Sequence, residues 1–458
     1  MITESLEAKL RRIGNPVEML RNSPTRRFQF DYPDQYTNWR DEQAGWAKTA
    51  TLFDQSHHMT DVYFEGPDVD RLLEATCTNS FKTWGPNKAK HIVTCTEEGK
   101  MVGTAVLFGL DKNLVNVVGP TAAANWISYQ AEKGGYDVKI TRDERTADQP
   151  AGGRRKTFRF EIEGPRVGDI ISKAHGSKVE PVKFFSMTEF TLAGRTVRAL
   201  SHTMAGVPGS DSMGLEIWGP VEDSKACWDA LVEAGAEFGL VRGGALAYYT
   251  GSVESGYAAQ PTPAIYSAPE TKHYREWLRG DGYEGKLSIG GSYASGRIED
   301  YYVSPFDFGY GHLVRFDHDF IGREALEQDA SRPHRRKVWL RWNEEDVLRV
   351  HASSLFGTND RARFLETPLP REARVLHDAI TTVDGRLIGV STLRGYSSNV
   401  GAWISTGFVD EADVVEGGEA VMIWGEENGG TRKLTVERHV QTEIRVTMHT
   451  EPLPLLKG

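Results

Sequence analysis

A strand, the tripeptide Glu-Gly-Pro and a helix follow one another twice in this chain, and this repeat restricts the fold more than any other feature. The first copy runs from the alternating residues 61–65 through Gly66-Pro67 into an apolar helical pattern. The second runs from 158–162 through Gly164-Pro165 into 167–174. Period-two alternation predicts a half-buried strand, and a period of 3.6 predicts a helix. The repeat therefore predicts two similar α+β units.

The chain has 458 residues, which is too long for one compact core. We predict three domains: a first α+β unit over 1–150, a second over 151–335, and a smaller all-β domain over 336–458. The last is predicted from strand-like segments separated by turn pairs such as Asp384-Gly385. The expected fold class is α+β.

Charge and cysteine content exclude several classes of protein. The net charge of -10 argues against a nucleic-acid or anionic-membrane partner. The one short basic run, 154–156, is interpreted as a solvated turn. No segment approaches the roughly 18 apolar residues of a membrane helix, and we find no signal peptide. Cys77, Cys95 and Cys227 are too few and too scattered for a disulfide framework or metal site, so we expect a cytoplasmic protein without a metal.

Two segments combine polar side chains with apolar surroundings. Residues 54–59 present His57 and His58, which belong either to a site or to the surface of a capping turn. Glu216 interrupts an apolar strand that ends at Trp218. An unpaired buried charge costs several kcal/mol. Glu216 therefore lies on an exposed face, or it pairs with a cation or with the N–H groups of a ligand.

A third segment is rich in hydroxyls and aromatic rings. It contains Tyr248, Tyr249, Glu254 and Tyr257. Aromatic side chains with one carboxylate suit a flat, donor-rich heterocycle such as a pterin. They equally suit an ordinary core with a charge at its rim.

The most specific sequence motif lies at residues 305–326, which read Pro-x-Asp-x-Gly-x-Gly and then Asp-Phe-Ile-Gly-Arg. It resembles a signature of the glycine-cleavage T-protein superfamily. Weaker matches follow in the superfamily's order along essentially the whole chain: Leu52-Phe53-Asp54, Gly164-Pro165, Gly214-x-Glu216 and Glu254-x-Gly256. The resemblance implies a three-domain ring with tetrahydrofolate in its central channel and a β-barrel-like domain at the C-terminus.

The same resemblance implies roles for the cofactor-binding candidates. Glu216 would hold the N–H edge of the pterin through a bidentate pair, and Glu254 would support the site. Tyr310 or His312 would line the channel. Trp218 and Tyr257 complete the expected folate contacts.

The chain departs from true aminomethyltransferases at two positions. Thr104 stands at or beside their acidic position, and Ser252 stands where they carry arginine. A closer resemblance is to the bacterial tetrahydrofolate-dependent aryl-methyl-ether O-demethylases, the vanillate and syringate demethylases of lignin catabolism. It is carried by residues 18–23, 38–43, 52–59, 86–90, 298–303 and 424–433. It implies methyl transfer from a methoxylated aromatic to tetrahydrofolate. An S-methyl or N-methyl demethylase and a non-catalytic folate-binding regulator are the alternatives.

Such a transfer needs an acid, because phenoxide leaves poorly from a methyl ether. Tyrosine suits the task, since its pKa near 10 is close to that of a phenol. The resemblance assigns the catalytic acid to Tyr248. Tyr249 competes, because only one of two consecutive strand residues faces a site. Gln55 and His58 would contact the ring hydroxyl or the developing oxyanion of the substrate.

One departure concerns the aromatic substrate itself. Where these demethylases have an arginine suited to a carboxylate, this chain has Pro120. Either another cation, such as Arg26, Arg27 or Arg242, binds the carboxylate, or the substrate has none at that position.

Overall fold

The amino-terminal segment forms short helices where its sequence carries helix caps. The computed structural model describes residues 4–25, 33–149, 152–205, 213–258, 260–430 and 433–456. Helix α1 (Leu6–Ile13) begins after Ser5, whose hydroxyl accepts a hydrogen bond from the Ala8 N–H, and it ends at the left-handed Gly14. Helix α2 (Pro16–Arg21) begins after Asn15, whose side chain caps it, with proline at the first turn.

The first sheet is built from residues 60–143. The elements of this region are α3 (Trp39–Lys48), β1 (Ala50–Asp54), β2 (Thr60–Glu65), α4 (Val69–Thr76), β3 (Ala89–Cys95), β4 (Met101–Asp111), β5 (Leu114–Gly119), α5 (Thr121–Lys133) and β6 (Lys139–Asp143). Among the described residues the sheet has the strand order β3-β4-β5-β2-β6. Helices α4 and α5 bury their apolar faces with those of its strands. The first predicted strand–helix copy is observed, and β4 and β5 form an antiparallel hairpin.

The second sheet takes most of its strands from residues 157–243. The elements here are β7 (Thr157–Gly164), α6 (Val167–His175), β8 (Met187–Leu192), β9 (Arg195–Ser201), β10 (Met213–Pro220), α7 (Ser224–Gly235), β11 (Leu240–Gly243), α8 (Ala245–Ser255) and α9 (Lys272–Trp277). In the described part of the chain its order is β11-β1-β7-β10-β9-β8. Strand β1 precedes the first sheet in sequence but belongs to the second. Our division of the two units at residue 150 stays a prediction.

A closed barrel forms the carboxy-terminal part. Its region contains β12 (Ile289–Gly290), α10 (Arg323–Asp329), β13 (Arg335–Trp342), α11 (Glu344–Phe356), β14 (Val375–Leu376), β15 (Asp378–Thr381), β16 (Leu387–Ser397), β17 (Ala402–Asp410), β18 (Glu419–Trp424) and β19 (Thr442–His449). Within the described ranges the barrel order is β13-β17-β16-β15-β18-β19. The all-β prediction was wrong about α11. This helix is capped by the Asn343 side chain, and acidic residues occupy its first turn, which the helix dipole favours.

Helix α8 joins the second sheet to the barrel. It packs against α3 and β11 on one side and against barrel strands β16 and β17 on the other. It ends at Gly256, where φ is 66° and an added Cβ would lie 2.2 Å from the Trp339 ring. Only glycine allows this turn so close to the barrel. The described helices include none with the length and apolar character needed to cross a membrane.

Candidate active site

A cavity of about 620 Å³ lies where the two sheets and the barrel meet. This volume is typical of sites for small organic ligands. All three parts of the molecule contribute to its walls: Ala89, His91 and Val118 from the first sheet, His202 and Glu216 from the second, Tyr248 and Tyr249 from α8, and Thr392 and Leu393 from the barrel. The cavity is therefore central to the fold.

Tyr248 and His58 form a hydrogen-bonded pair at the wall of this cavity. The Tyr248 Oη lies 3.2 Å from His58 Nε2 and 3.7 Å from the Met204 sulfur. Burial lowers the pKa of His58 to about 3, so the imidazole is neutral near pH 7. A neutral ring nitrogen either accepts the phenol proton or donates to the phenolic oxygen. The pair can therefore hold a proton beside a bound ligand.

The prediction that Tyr248 and Tyr249 are consecutive strand residues was wrong. Both lie on α8, where successive side chains project about 100° apart rather than to opposite faces. Both line the cavity, and their ring centroids are 4.9 Å apart. The hydroxyl of Tyr248 is hydrogen-bonded to His58. Facing direction alone does not separate the two tyrosines; this hydrogen bond favours Tyr248 as the acid, which stays a prediction.

Gln55 is buried and lies behind the cavity surface rather than on it. Its Nε2 is 3.4 Å from the sulfur of Met204, which also contacts Tyr248, and 3.5 Å from a carboxylate oxygen of Glu161. Among the described residues, its Oε1 has no hydrogen-bond partner. Gln55 thus supports the wall beside the Tyr248 hydroxyl. Its predicted contact with substrate stays a prediction.

Glu216 lines the cavity and is held by two basic groups. Arg159 donates to its Oε1, and His202 Nε2 lies 3.0 Å from its Oε2. Burial raises the pKa of Glu216, but the charges of Arg159 and His202 outweigh burial and lower it. The pKa of His202 is raised well above its usual value, because the negative charges and hydrogen bonds of Glu161 and Glu216 outweigh the effect of burial. A charged, pre-positioned carboxylate therefore faces the ligand space.

The other predicted folate contacts divide into two groups. Tyr257 and His312 line the cavity. Tyr310 lies one layer behind, with its ring 4.7 Å from that of His91 and its hydroxyl donating to the Ala258 carbonyl. Trp218 is also behind the surface, packed on the Arg159 guanidinium at 5.3 Å. Of Tyr310 and His312, the histidine is thus the one on the channel wall.

Glu254 does not line the cavity. Its carboxylate accepts hydrogen bonds from Trp46 Nε1 at 2.8 Å, from the Ser397 hydroxyl and from Asn399 Nδ2. Burial raises its pKa to about 7 despite these donors. The side chain ties α8 to α3 and to the barrel, so any support that it gives the site acts through the position of α8.

The interpretation of 154–156 as a solvated turn was wrong for Arg155. That residue is buried and donates to Asp61 and to the Met59 and Asp143 carbonyls. Asp61 also accepts from Arg159, which in turn holds Glu216. The chain of charges from Arg155 to Glu216 escaped the sequence analysis, because the paired residues are far apart in sequence.

Of the cations expected to bind a substrate carboxylate, the structure describes only Arg242. Arg26 and Arg27 lie outside the described residues. Arg242 is exposed, with its guanidinium 4.6 Å from the ring centroid of Tyr36, and it does not line the cavity. Pro120 does line it, as do two arginines that the sequence analysis missed, Arg145 and Arg374.

Among the residues that the structure describes, two groups of acidic and histidine side chains have ligand atoms close enough to hold a metal ion. They are Glu161, His202 and Glu216, and Asp307, Asp329 and His334. In the first group Arg159 already binds Glu216, and the raised pKa of His202 keeps its ring protonated rather than free to ligate. The arrangement is that of an ion-pair network. The absence of a metal stays a prediction.

Comparisons with known proteins agree with one another. Residues 23–262 match the family model described as the GCVT N-terminal domain. The chain is 42% identical over 452 residues to syringate O-demethylase from Sphingobium sp., covering 98% of this chain and 96% of that protein. It is 29% identical over 399 residues to sesamin methylene transferase from Sinomonas sp., covering 84% and 82%.

A solved structure is similar along nearly the whole chain. Glycine cleavage system aminomethyltransferase T from Bartonella henselae aligns with a TM-score of 0.60 at 16% identity. The alignment covers 94% of this chain and 96% of that one. At this identity the likeness concerns the fold.

Proposed function

The chain belongs to the family defined by the GCVT N-terminal domain, and from that premise we propose that it is a tetrahydrofolate-dependent O-demethylase. It transfers a methyl group from a methoxylated aromatic compound to N5 of tetrahydrofolate and releases the phenol. The sequence-based assignments to this family and to the T-protein fold are confirmed by the relatives and by the structural match.

The cavity fits a reduced folate by its hydrogen-bonding groups as well as by its size. The charged Glu216 carboxylate suits the N–H edge of a pterin, which presents adjacent donors. Tyr257, His91 and His312 add aromatic surface. When bound, tetrahydrofolate supplies N5 as the methyl acceptor.

The residues around Tyr248 supply the proton that the departing phenoxide needs. As the bond between methyl carbon and ether oxygen breaks, the Tyr248 hydroxyl gives its proton to that oxygen, and the new bond joins the methyl carbon to N5. Neutral His58, 3.2 Å away, holds the phenol in position. To return a proton to Tyr248, its ring gives up one N–H proton as its second nitrogen takes up another, so the ring stays neutral. The proton displaced from N5 balances the cycle. The observation that carries this proposal is the Tyr248–His58 pair in the cavity that Glu216 also lines.

Two finer assignments belong to the same proposal. A methoxylated aromatic as methyl donor suits a role in the breakdown of lignin-derived aromatics. The three cysteines are buried free thiols, which suits a reducing cytoplasm.

In the direct test, purified protein is incubated with tetrahydrofolate and each member of a panel of methoxylated aromatics. The amount of 5-methyltetrahydrofolate that forms is then measured. Stoichiometric formation of methyltetrahydrofolate and phenol from at least one panel member is expected. Product that forms equally well without protein, or no product from any member, would overturn the proposal.

A further inference from the structure

Two buried guanidinium groups lie against one aromatic ring in the cavity wall. The guanidinium carbon of Arg145 is 5.3 Å from the ring centroid of Tyr283, and that of Arg374 is 5.0 Å from the same centroid. All three residues line the cavity. The side chain of Arg145 is 14% exposed, and Arg374 is 7% exposed. Two like charges thus lie against the same ring, with little water to screen them.

One carboxylate acts on both members of this pair. Arg145 donates to Asp148, and the charge of Asp148 also acts on Arg374. Tyr283 is uncharged near pH 7, because burial raises its pKa to about 12. Burial and the charge of Arg145 lower the pKa of Arg374. A bound anion would reduce the repulsion between the two guanidinium groups.

The backbone of Arg145 is linked to the segment that carries His58. The Arg145 backbone nitrogen donates to the Thr60 hydroxyl at 3.4 Å, and the next residue, Thr146, donates from its backbone to the His57 carbonyl. The charge of Arg145 acts on His58, and Tyr249 lies within the electrostatic reach of Arg374. Tyr248 lines the same cavity as the two arginines, so one ligand can share the space with all three.

We propose that Arg145 and Arg374, arranged on Tyr283, bind the carboxylate of a methoxylated aromatic acid. This inference rests on the proposed function and narrows its substrate to methoxybenzoate-type anions. Planar guanidinium groups hold a carboxylate through two parallel hydrogen bonds, which fixes the ring as well as the charge. Pro120, which also lines the cavity, offers neither a cation nor an N–H.

The glutamate tail of tetrahydrofolate also carries carboxylates, so the test must separate the two sources. Kinetics compare syringate with 2,6-dimethoxyphenol, which differ only in the carboxylate. They also compare tetrahydrofolate with 6-methyltetrahydropterin, which lacks the tail. The proteins are wild type, Arg145→Met, Arg374→Met and Arg374→Lys, with Arg242→Met as the control cation outside the cavity. Melting curves verify that each variant is folded.

We expect the wild type to show a KM for 2,6-dimethoxyphenol at least tenfold above that for syringate. Either methionine substitution should bring this ratio toward one, Arg374→Lys should give an intermediate ratio, and Arg242→Met should keep it. The methionine variants could instead keep the KM ratio of the two aromatics and weaken the binding of tetrahydrofolate relative to that of 6-methyltetrahydropterin. That result would assign the two arginines to the folate tail and overturn the proposal.

Equilibrium binding without folate separates this inference from the proposed function. Calorimetric titration with syringate needs no turnover, and we expect the two methionine variants to bind it at least tenfold more weakly than wild type. If the wild type failed to demethylate any aromatic yet bound syringate through these arginines, the activity would be refuted and the anion site retained. If binding of syringate were unaffected by both substitutions, the anion site would be refuted.

Discussion

Replacing Tyr248 with phenylalanine removes one oxygen atom from the wall of the cavity. That oxygen contacts His58 Nε2 at 3.2 Å and the Met204 sulfur at 3.7 Å. The loss of one such hydrogen bond costs about 1 kcal/mol of stability, so the variant should remain folded. Loss of a general acid, by contrast, lowers the rate by roughly 10²–10⁴-fold, which corresponds to about 3–5 kcal/mol in the barrier.

The assay measures 5-methyltetrahydrofolate in a single turnover with the best methoxylated aromatic, and a separate titration measures tetrahydrofolate affinity. We expect a rate loss of at least about 100-fold with folate affinity unchanged. Tyr249→Phe is the matched control, since it makes the same chemical change one residue along the same helix, and its loss should stay below about tenfold. A Tyr248→Phe rate within about threefold of wild type would refute the assignment of Tyr248 as the acid. If only Tyr249→Phe lost most of the rate, Tyr249 would be the acid instead.

Three further predictions concern buried charges. Glu216→Gln should weaken tetrahydrofolate binding by about tenfold or more in a fluorescence titration, because a charge-assisted pair with the pterin is lost, whereas Tyr248→Phe should not. Arg159→Met leaves Asp61 and Glu216 without their shared cation, so urea denaturation should show a loss of about 3–5 kcal/mol; a loss below about 1 kcal/mol would contradict the pairing. Burial holds the pKa of Glu254 at about 7, above its value in the unfolded chain. The folded state therefore binds the extra proton between these two pKa values, and stability should fall as pH rises from 5 to 8, by up to about 3 kcal/mol. Glu254→Gln should lack that component of the pH dependence, and an equal slope in both proteins would contradict it.

Local pattern was sufficient for most of the secondary structure, and for clear reasons. Strands β2 and β7 alternate in polarity, and the β4–β5 hairpin is two apolar runs separated by a polar turn. Helix α11 carried its own signals, an Asn343 cap and three acidic residues in its first turn, yet the expectation of an all-β domain overrode them. Helix α8 gave no comparable signal. Because it is buried on nearly all sides, apolar residues show no helical period along it.

The sequence by itself determined the family and the folate chemistry, and it supplied candidate residues for the site, because ordered motifs persist along the chain. The tertiary structure alone decided which of those residues meet. It places the Tyr248 hydroxyl against His58. Tyr310, Trp218 and Glu254 lie behind the cavity surface, whereas Arg145 and Arg374 line the cavity. It also buried Arg155 against Asp61, 94 residues away. Such contacts join segments that are far apart in sequence. They depend on how the two sheets and the barrel pack around one cavity.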